Sequence, residues 1–97
     1  MKINILGQDY EYITDKGEKE NKDLIGRNGL TDFATNEIFI DNKCQKWNRK
    51  YTIRHEIFHA LLNEAGYIDL SRNEEFVSML AMKFPHLLKL FKDLKAL

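Results

Sequence analysis

Hydrophobic and polar residues alternate along the first part of the chain, as they do in β-strands. The alternation runs through segments 3–5 and 10–14, with a turn signal at 7–9 between them. Because successive side chains of a strand point to opposite faces, this period predicts a β-hairpin. The strongly charged segment 15–22 that follows is interpreted as a solvated loop.

A second hairpin is predicted further along the chain. Segments 30–33 and 37–41 have strand character, and 34–36 lies near the turn that would join them. Between the two hairpins, segment 23–29 could hold one short turn of helix before a corner marked by glycine. The first half of the chain therefore predicts four short strands.

The second half of the chain has the period of α-helices. From 45 to 65 apolar residues recur on one face, and Gly66 supplies a stop signal. A second helix is predicted to begin after Ser71 and to end at about Phe84. Pro85 is expected to open a third helix, because proline is favoured at the first helical position. Four strands followed by three helices predict an α+β domain.

The composition fits one folded domain. The chain has 97 residues, of which 43% are hydrophobic and 31% are charged, so it can build one modest core. Strands are predicted mainly in residues 1–42 and helices mainly in residues 43–97. The formal net charge is zero, and so we expect neither a nucleic-acid nor an anionic-membrane partner. No apolar run approaches the roughly 20 residues that span a bilayer.

Cysteine usage bears on the compartment. The single cysteine, Cys44, cannot form an internal disulfide, so a reducing cytoplasm is the simplest expectation. Cys44 lies between two polar residues and apart from the histidine motif described below, and we interpret it as neither a nucleophile nor a metal ligand. The sequence does not determine the oligomeric state, and a monomer is the simplest expectation.

The most informative motif is H-E-x-x-H at His55–His59, within the first predicted helix. Four residues make a little more than one helical turn, so both imidazoles lie on one face and can share a metal ion. Glu56 lies about 100° further around the helix, where its carboxylate could deprotonate a metal-bound water. Two histidines that flank a glutamate on a polar helix border have no packing rationale, which favours the metal interpretation.

A catalytic zinc site normally has three protein ligands and one open position. The next predicted helix carries Glu74 and Glu75, and a helical wheel separates them. Glu74 lies at the border of the apolar arc, as the two histidines do on their own helix, whereas Glu75 points nearly opposite the centre of that arc. We therefore predict Glu74 as the third ligand. The alternative is a capping box over Ser71–Glu74, in which the glutamate bonds an amide at the helix start.

Three further residues are weaker candidates for the site. His86 follows the proline and could serve as an acid or an oxyanion donor, or could be a surface histidine. Tyr51 and Tyr67 could polarise a substrate carbonyl, or could be half-buried packing residues. The sequence does not choose between these roles.

Segment 53–62, followed by Asn73-Glu74, resembles the gluzincin metallopeptidases. It looks closest to their minimal members, including small phage and bacterial proteins related to the ImmA/IrrE group. The resemblance implies that zinc binds His55, His59 and Glu74 in a zincin-like domain.

The resemblance also implies a mechanism and a substrate site. In gluzincins the glutamate of the motif, here Glu56, is the general base that activates a zinc-bound water against a peptide bond. A small sheet precedes the active-site helix, and its edge strand aligns a peptide substrate. In this chain Glu37–Asp41 would be that edge strand.

Two other functions stay open at this point. The first is a non-catalytic module on the same scaffold, either a metal-binding regulator or a protein-interaction domain. The second is an interaction protein that docks through the leucine-rich face of its last helix.

Overall fold

A computed structural model describes all residues from 1 to 97 and shows a four-stranded mixed sheet followed by three helices. The α+β prediction is confirmed. The strands are β1 (Lys2–Ile5), β2 (Gln8–Ile13), β3 (Gly29–Asp32) and β4 (Glu37–Ile40), with a short 3₁₀ turn at Lys22–Leu24. The helices are α1 (Lys46–Glu64), α2 (Ile68–Ser71) and α3 (Glu74–Asp93).

The sheet has the strand order β1-β2-β4-β3. The two predicted hairpins, β1 with β2 and β3 with β4, are antiparallel, and a parallel pairing of β2 with β4 joins them. A parallel pair needs a long connection, which the loop after β2 together with β3 supplies. The edges of the sheet are therefore β1 and β3.

The prediction that Glu37–Asp41 forms an edge strand is wrong. β4 is paired on both sides, with β2 and with β3. Its residues Ile38, Phe39 and Ile40 are all buried, so both faces of the strand are covered. A continuous apolar run of this kind is typical of an internal strand, because an edge strand with one solvated face alternates.

The core lies between the sheet and α1. Ile5, Tyr10 and Ile38 contribute side chains from three strands, and Ala60 brings the helix close because its side chain is small. The hydroxyl of Tyr10 donates a hydrogen bond to Glu64 at the end of α1. Burial, reinforced by that carboxylate, raises the pKa of Tyr10 above its ordinary range. This core fixes the position of α1, which carries the histidine motif.

The prediction that Pro85 opens a separate helix is wrong, because α3 runs through it without a break. A proline inside a helix removes the amide that would bond the carbonyl four residues earlier. Here that carbonyl belongs to Ala81, which is fully buried, and Arg54 Nε donates to it at 2.7 Å. A side chain from α1 thus replaces the missing backbone donor. The structure still has three helices, because the short α2 lies between α1 and α3.

The C-terminal half of α3 extends away from the rest of the fold. From Met82 onward nearly every side chain is exposed, including Leu87, Leu90 and Leu94. No helix in the structure has both the length and the apolar composition needed to cross a bilayer.

We expect Arg54→Met to lower the free energy of unfolding by about 1–3 kcal/mol, the cost of leaving a buried carbonyl without a donor. In a Pro85→Ala background the loss should be much smaller, because the amide of residue 85 can then bond the Ala81 carbonyl. Urea unfolding of the wild type, both single variants and the double variant measures this coupling. An equal loss in the two backgrounds would contradict the assigned role of Arg54.

Candidate metal centre

The two histidines of the motif lie one turn apart on the same face of α1, as predicted. Their Nε2 atoms are 3.1 Å apart, and their ring centroids are separated by 4.7 Å. Both side chains are largely shielded from solvent, with 12% exposure for His55 and 11% for His59. The helix therefore presents two nearly buried imidazole nitrogens to one point.

Glu74 completes the cluster from the first position of α3. Its Oε2 lies 2.9 Å from His55 Nε2, and its Oε1 lies 2.9 Å from His59 Nε2. The three donor atoms all lie within 4.8 Å of one another, so these side chains could hold a metal ion. Glu75 is exposed and outside the cluster. Glu74, and not Glu75, is therefore the acidic residue that lies with the two histidines.

The capping-box alternative for Glu74 does not hold in this structure. The N-cap of α3 is Asn73, whose side chain accepts a hydrogen bond of 3.0 Å from the Phe76 amide. Ser71 lies at the end of α2 instead, and its side chain is buried. Because Asn73 caps the helix, the carboxylate of Glu74 is free to face the histidines.

Ser71 selects the tautomer of a neutral His59. The Nδ1 atom of His59 is hydrogen-bonded to the carbonyl oxygen of Ser71, and the Ser71 hydroxyl donates to the carbonyl of His59 at 2.7 Å. A carbonyl can only accept, so Nδ1 carries the ring proton in the neutral imidazole. The Nε2 lone pair of His59 therefore points at the cluster, which is the arrangement that metal-binding histidines use.

The contact between His59 and Glu74 has no proton donor when His59 is neutral and Glu74 is ionised. With Nδ1 protonated, the Nε2 lone pair of a neutral His59 faces a carboxylate oxygen at 2.9 Å, and neither atom supplies a proton. Either an additional proton or a metal cation must lie between them. Nε2 of His55 points into the same cluster, 2.9 Å from Glu74 Oε2, whereas its Nδ1 is buried without a hydrogen-bond partner.

The donor set fits a small divalent metal. Two imidazoles and one carboxylate are the ligands of many catalytic zinc sites. Zinc–ligand bonds of about 2.0–2.2 Å in a tetrahedron place neighbouring ligand atoms roughly 3.3 Å apart. The two Nε2 atoms are 3.1 Å apart, and each lies 2.9 Å from a different oxygen of Glu74, which is close to that spacing.

Glu56 lies beside this cluster and is buried, with only 7% of its surface exposed. The hydroxyl of Thr31 on β3 donates to its Oε1 at 2.8 Å. Burial raises the pKa of Glu56, although the Thr31 hydrogen bond and the two imidazoles act in the opposite direction. A carboxyl group with a raised pKa, close to side chains that could hold a metal ion, is typical of a catalytic acid or base.

Gly29 allows β3 to lie close to α1 at this point. A Cβ atom at this position would come within 2.9 Å of both Glu56 Cγ and Thr52 Cγ2, and within 3.1 Å of the Phe39 carbonyl. Any other residue would push the strand or the Glu56 side chain aside. The glycine thus lets Thr31 reach the carboxylate of Glu56.

A cleft of about 630 Å³ opens over these residues. Its floor is α1, and its walls are β3 on one side and the corner between α2 and α3 on the other. Both β3 and α3 pack against α1 without packing extensively against each other, which leaves the cleft open between them. The histidines, Glu56 and Glu74 all line it.

The weaker candidates separate by position. Tyr51 lines the cleft, with its ring centroid 5.8 Å from that of His55. Tyr67 and His86 do not line the cleft and are exposed. Cys44 also lies outside the cluster, with its Sγ 3.7 Å from Thr52 Oγ1. Of Tyr51, Tyr67 and His86, only Tyr51 could contact a ligand in the cleft.

Three residues at the site were not predicted from the sequence. Thr31 and Gly29 act across a strand–helix contact that no local pattern signals. The sequence offers Ser71 only as part of an alternative capping box, and its spacing from Glu74 gives no sign that it instead bonds a histidine on another helix. All three shape the site through contacts between elements that are distant in the sequence.

No protein-family model matches the chain, and neither curated proteins nor solved structures show significant similarity to it. The gluzincin resemblance therefore rests on the motif residues themselves.

We expect Glu74→Gln to weaken zinc binding by more than about 100-fold, beyond the 10–100-fold loss typical when only an outer-shell partner is removed. Glu75→Gln is the matched control, because it removes the same charge one residue away and should bind like the wild type. Competition with a chromophoric chelator measures both affinities. Equal weakening in the two variants, or no binding by the wild type, would contradict the assignment of the cluster.

Proposed function

We propose that this protein is a zinc-dependent peptidase. The observation that carries the proposal is the placement of a buried carboxylate, Glu56, beside a three-donor cluster in one open cleft. The cluster supplies a metal site and the carboxylate supplies a base, which are the two groups that metal-assisted hydrolysis requires.

His55, His59 and Glu74 would hold the zinc ion. When bound, zinc would polarise a substrate carbonyl and lower the pKa of a coordinated water to about 7. Ser71 would hold the His59 ring in the required tautomer and orientation, as outer-shell carbonyls do in metal sites.

Glu56 would act as the general base. Thr31 occupies its Oε1 with a hydrogen bond, which leaves Oε2 to accept a proton from the attacking water. Oε2 would then deliver that proton to the departing amine. Burial raises the pKa of Glu56 towards the range in which a carboxyl group both accepts and releases a proton.

The free edge of β3 would bind the substrate backbone. The amide of Asp41 donates to the carbonyl of Asn28, and hydrogen-bonded pairs alternate along an antiparallel ladder. The backbone groups of Gly29 and Thr31 therefore point away from β4, towards the cleft. An extended peptide could add to this edge as a further strand. We therefore assign the binding of an extended substrate to β3 and not, as first predicted, to Glu37–Asp41.

A closed, non-catalytic metal site receives less support. Such a site needs a fourth protein ligand, and no further histidine, cysteine or carboxylate joins the group of three. The cleft leaves the cluster open on one side, as catalytic zinc sites are.

Glu56→Gln should retain one zinc per chain and lower kcat/KM for peptide hydrolysis by at least about 100-fold, the lower range of general-base catalysis. Metal analysis of the dialysed protein and cleavage of a randomised peptide pool measure the two quantities. Glu75→Gln serves as the charge-matched control. Undiminished hydrolysis by Glu56→Gln would remove the proposed base, and zinc binding without hydrolysis by the wild type would favour the non-catalytic module.

Thr31→Val should shift the acidic limb of the pH profile of kcat/KM to higher pH. The Thr31 hydrogen bond lowers the pKa of Glu56, so its removal raises that pKa. Glu56 acts as a base only when ionised, and activity is therefore lost at a higher pH as the solution is acidified. Thr35→Val, in the exposed turn after β3, is the control. An unmoved limb, or a shift to lower pH, would contradict the role of Thr31.

A further inference from the structure

Apart from the proposed catalytic base and metal ligands, the side chains that line the cleft carry only positive charge. Fifteen residues line it, and among them the only carboxylates are Glu56 and Glu74. The remaining charged side chains, other than the histidines, are two guanidinium groups, those of Arg27 and Arg72. The walls beyond the cluster are therefore cationic, although the whole chain has a formal net charge of zero.

Neither guanidinium is paired within the protein. No carboxylate lies within 4 Å of Arg27 or Arg72, and neither side chain donates a hydrogen bond to another protein group. Both residues are exposed. Their donors are therefore available to a ligand, and a guanidinium matches a carboxylate with two parallel hydrogen bonds.

The two arginines come from opposite walls. Arg27 precedes β3, the strand whose free edge faces the cleft, and Arg72 precedes α3 at the corner beside Ser71. A peptide substrate that lies along β3 and crosses the cluster would thus pass Arg27 near the strand and Arg72 on the opposite wall of the cleft.

The rest of the lining is polar. Only three of the fifteen lining residues are hydrophobic, and the cleft is open and not a closed apolar pocket. A lining of this composition gives little selectivity for aliphatic side chains, since that requires an enclosed apolar surface. The two arginines can instead distinguish substrates by their charge.

We propose that the cleft selects peptides that carry carboxylate groups close to the scissile bond, with Arg27 and Arg72 as the specificity-determining residues. This inference rests on the proposed peptidase function, because it assigns the substrate class of the same site. The carboxylates would come from glutamate or aspartate side chains.

Two peptide pools test the proposal. Both are randomised at every position except one central residue, which is glutamate in the first pool and glutamine in the second. The zinc-loaded wild type should cleave the glutamate pool faster, by up to about fivefold for each arginine, because exposed ion pairs are weak. High salt should reduce this preference. Arg27→Gln and Arg72→Gln should each reduce it as well, whereas Lys50→Gln, an exposed charge on α1 outside the cleft, should not.

A binding measurement separates this inference from the peptidase proposal. The zinc-loaded Glu56→Gln variant should bind a fluorescent peptide from the glutamate pool more tightly than its glutamine counterpart, in a manner that depends on both arginines. Equal cleavage and equal binding of the two pools would overturn the charge preference and leave the peptidase standing. Tighter binding of the glutamate peptide without cleavage by the wild type would instead support the charge preference and remove the peptidase.

Discussion

The hydrogen bonds between Ser71 and His59 are the interaction on which the site depends. They join the end of α2 to the middle of α1 through the ring nitrogen of the histidine and through its backbone carbonyl. One bond sets the tautomer, so that Nε2 presents a lone pair, and both bonds bring the following residues of the chain against α1. Glu74 begins α3 three residues later and reaches both imidazoles. The Ser71 contact therefore orients the imidazole ring of His59 and holds the chain beside α1 shortly before α3 begins.

The same helix serves the core and the site on different faces. Ala60 packs α1 against the sheet, and Glu56 and the histidines face the cleft that β3 borders. Gly29 brings the strand close enough for Thr31 to bond the buried carboxylate. The chain has 97 residues and buries the Glu56 carboxyl group beside the two histidines. Apart from Nδ1 of His55, the polar side-chain atoms that it buries there have hydrogen-bond partners, which offsets the cost of removing them from water.

Helical geometry explains which parts of the site were predictable. The spacing of the histidines placed both rings on one face, and the border position of Glu74 distinguished it from Glu75, which lies outside the cluster. The α+β class followed from the change of hydrophobic period along the chain. The pairing of β4 with β2 was not predictable, because parallel pairing depends on contacts between strands far apart in the sequence. The continuity of α3 through Pro85 likewise involves Arg54, a donor that lies 27 residues from the carbonyl that it bonds.

Anomalous diffraction tests most directly whether two imidazoles and one carboxylate bind a single divalent cation. Crystals of the zinc-loaded protein, measured on both sides of the zinc absorption edge, should show one strong peak per chain. That peak should lie about 2.0–2.2 Å from His55 Nε2, His59 Nε2 and the nearest oxygen of Glu74. A map without a peak between these groups, or with zinc bound elsewhere while the two rings point apart, would contradict the account.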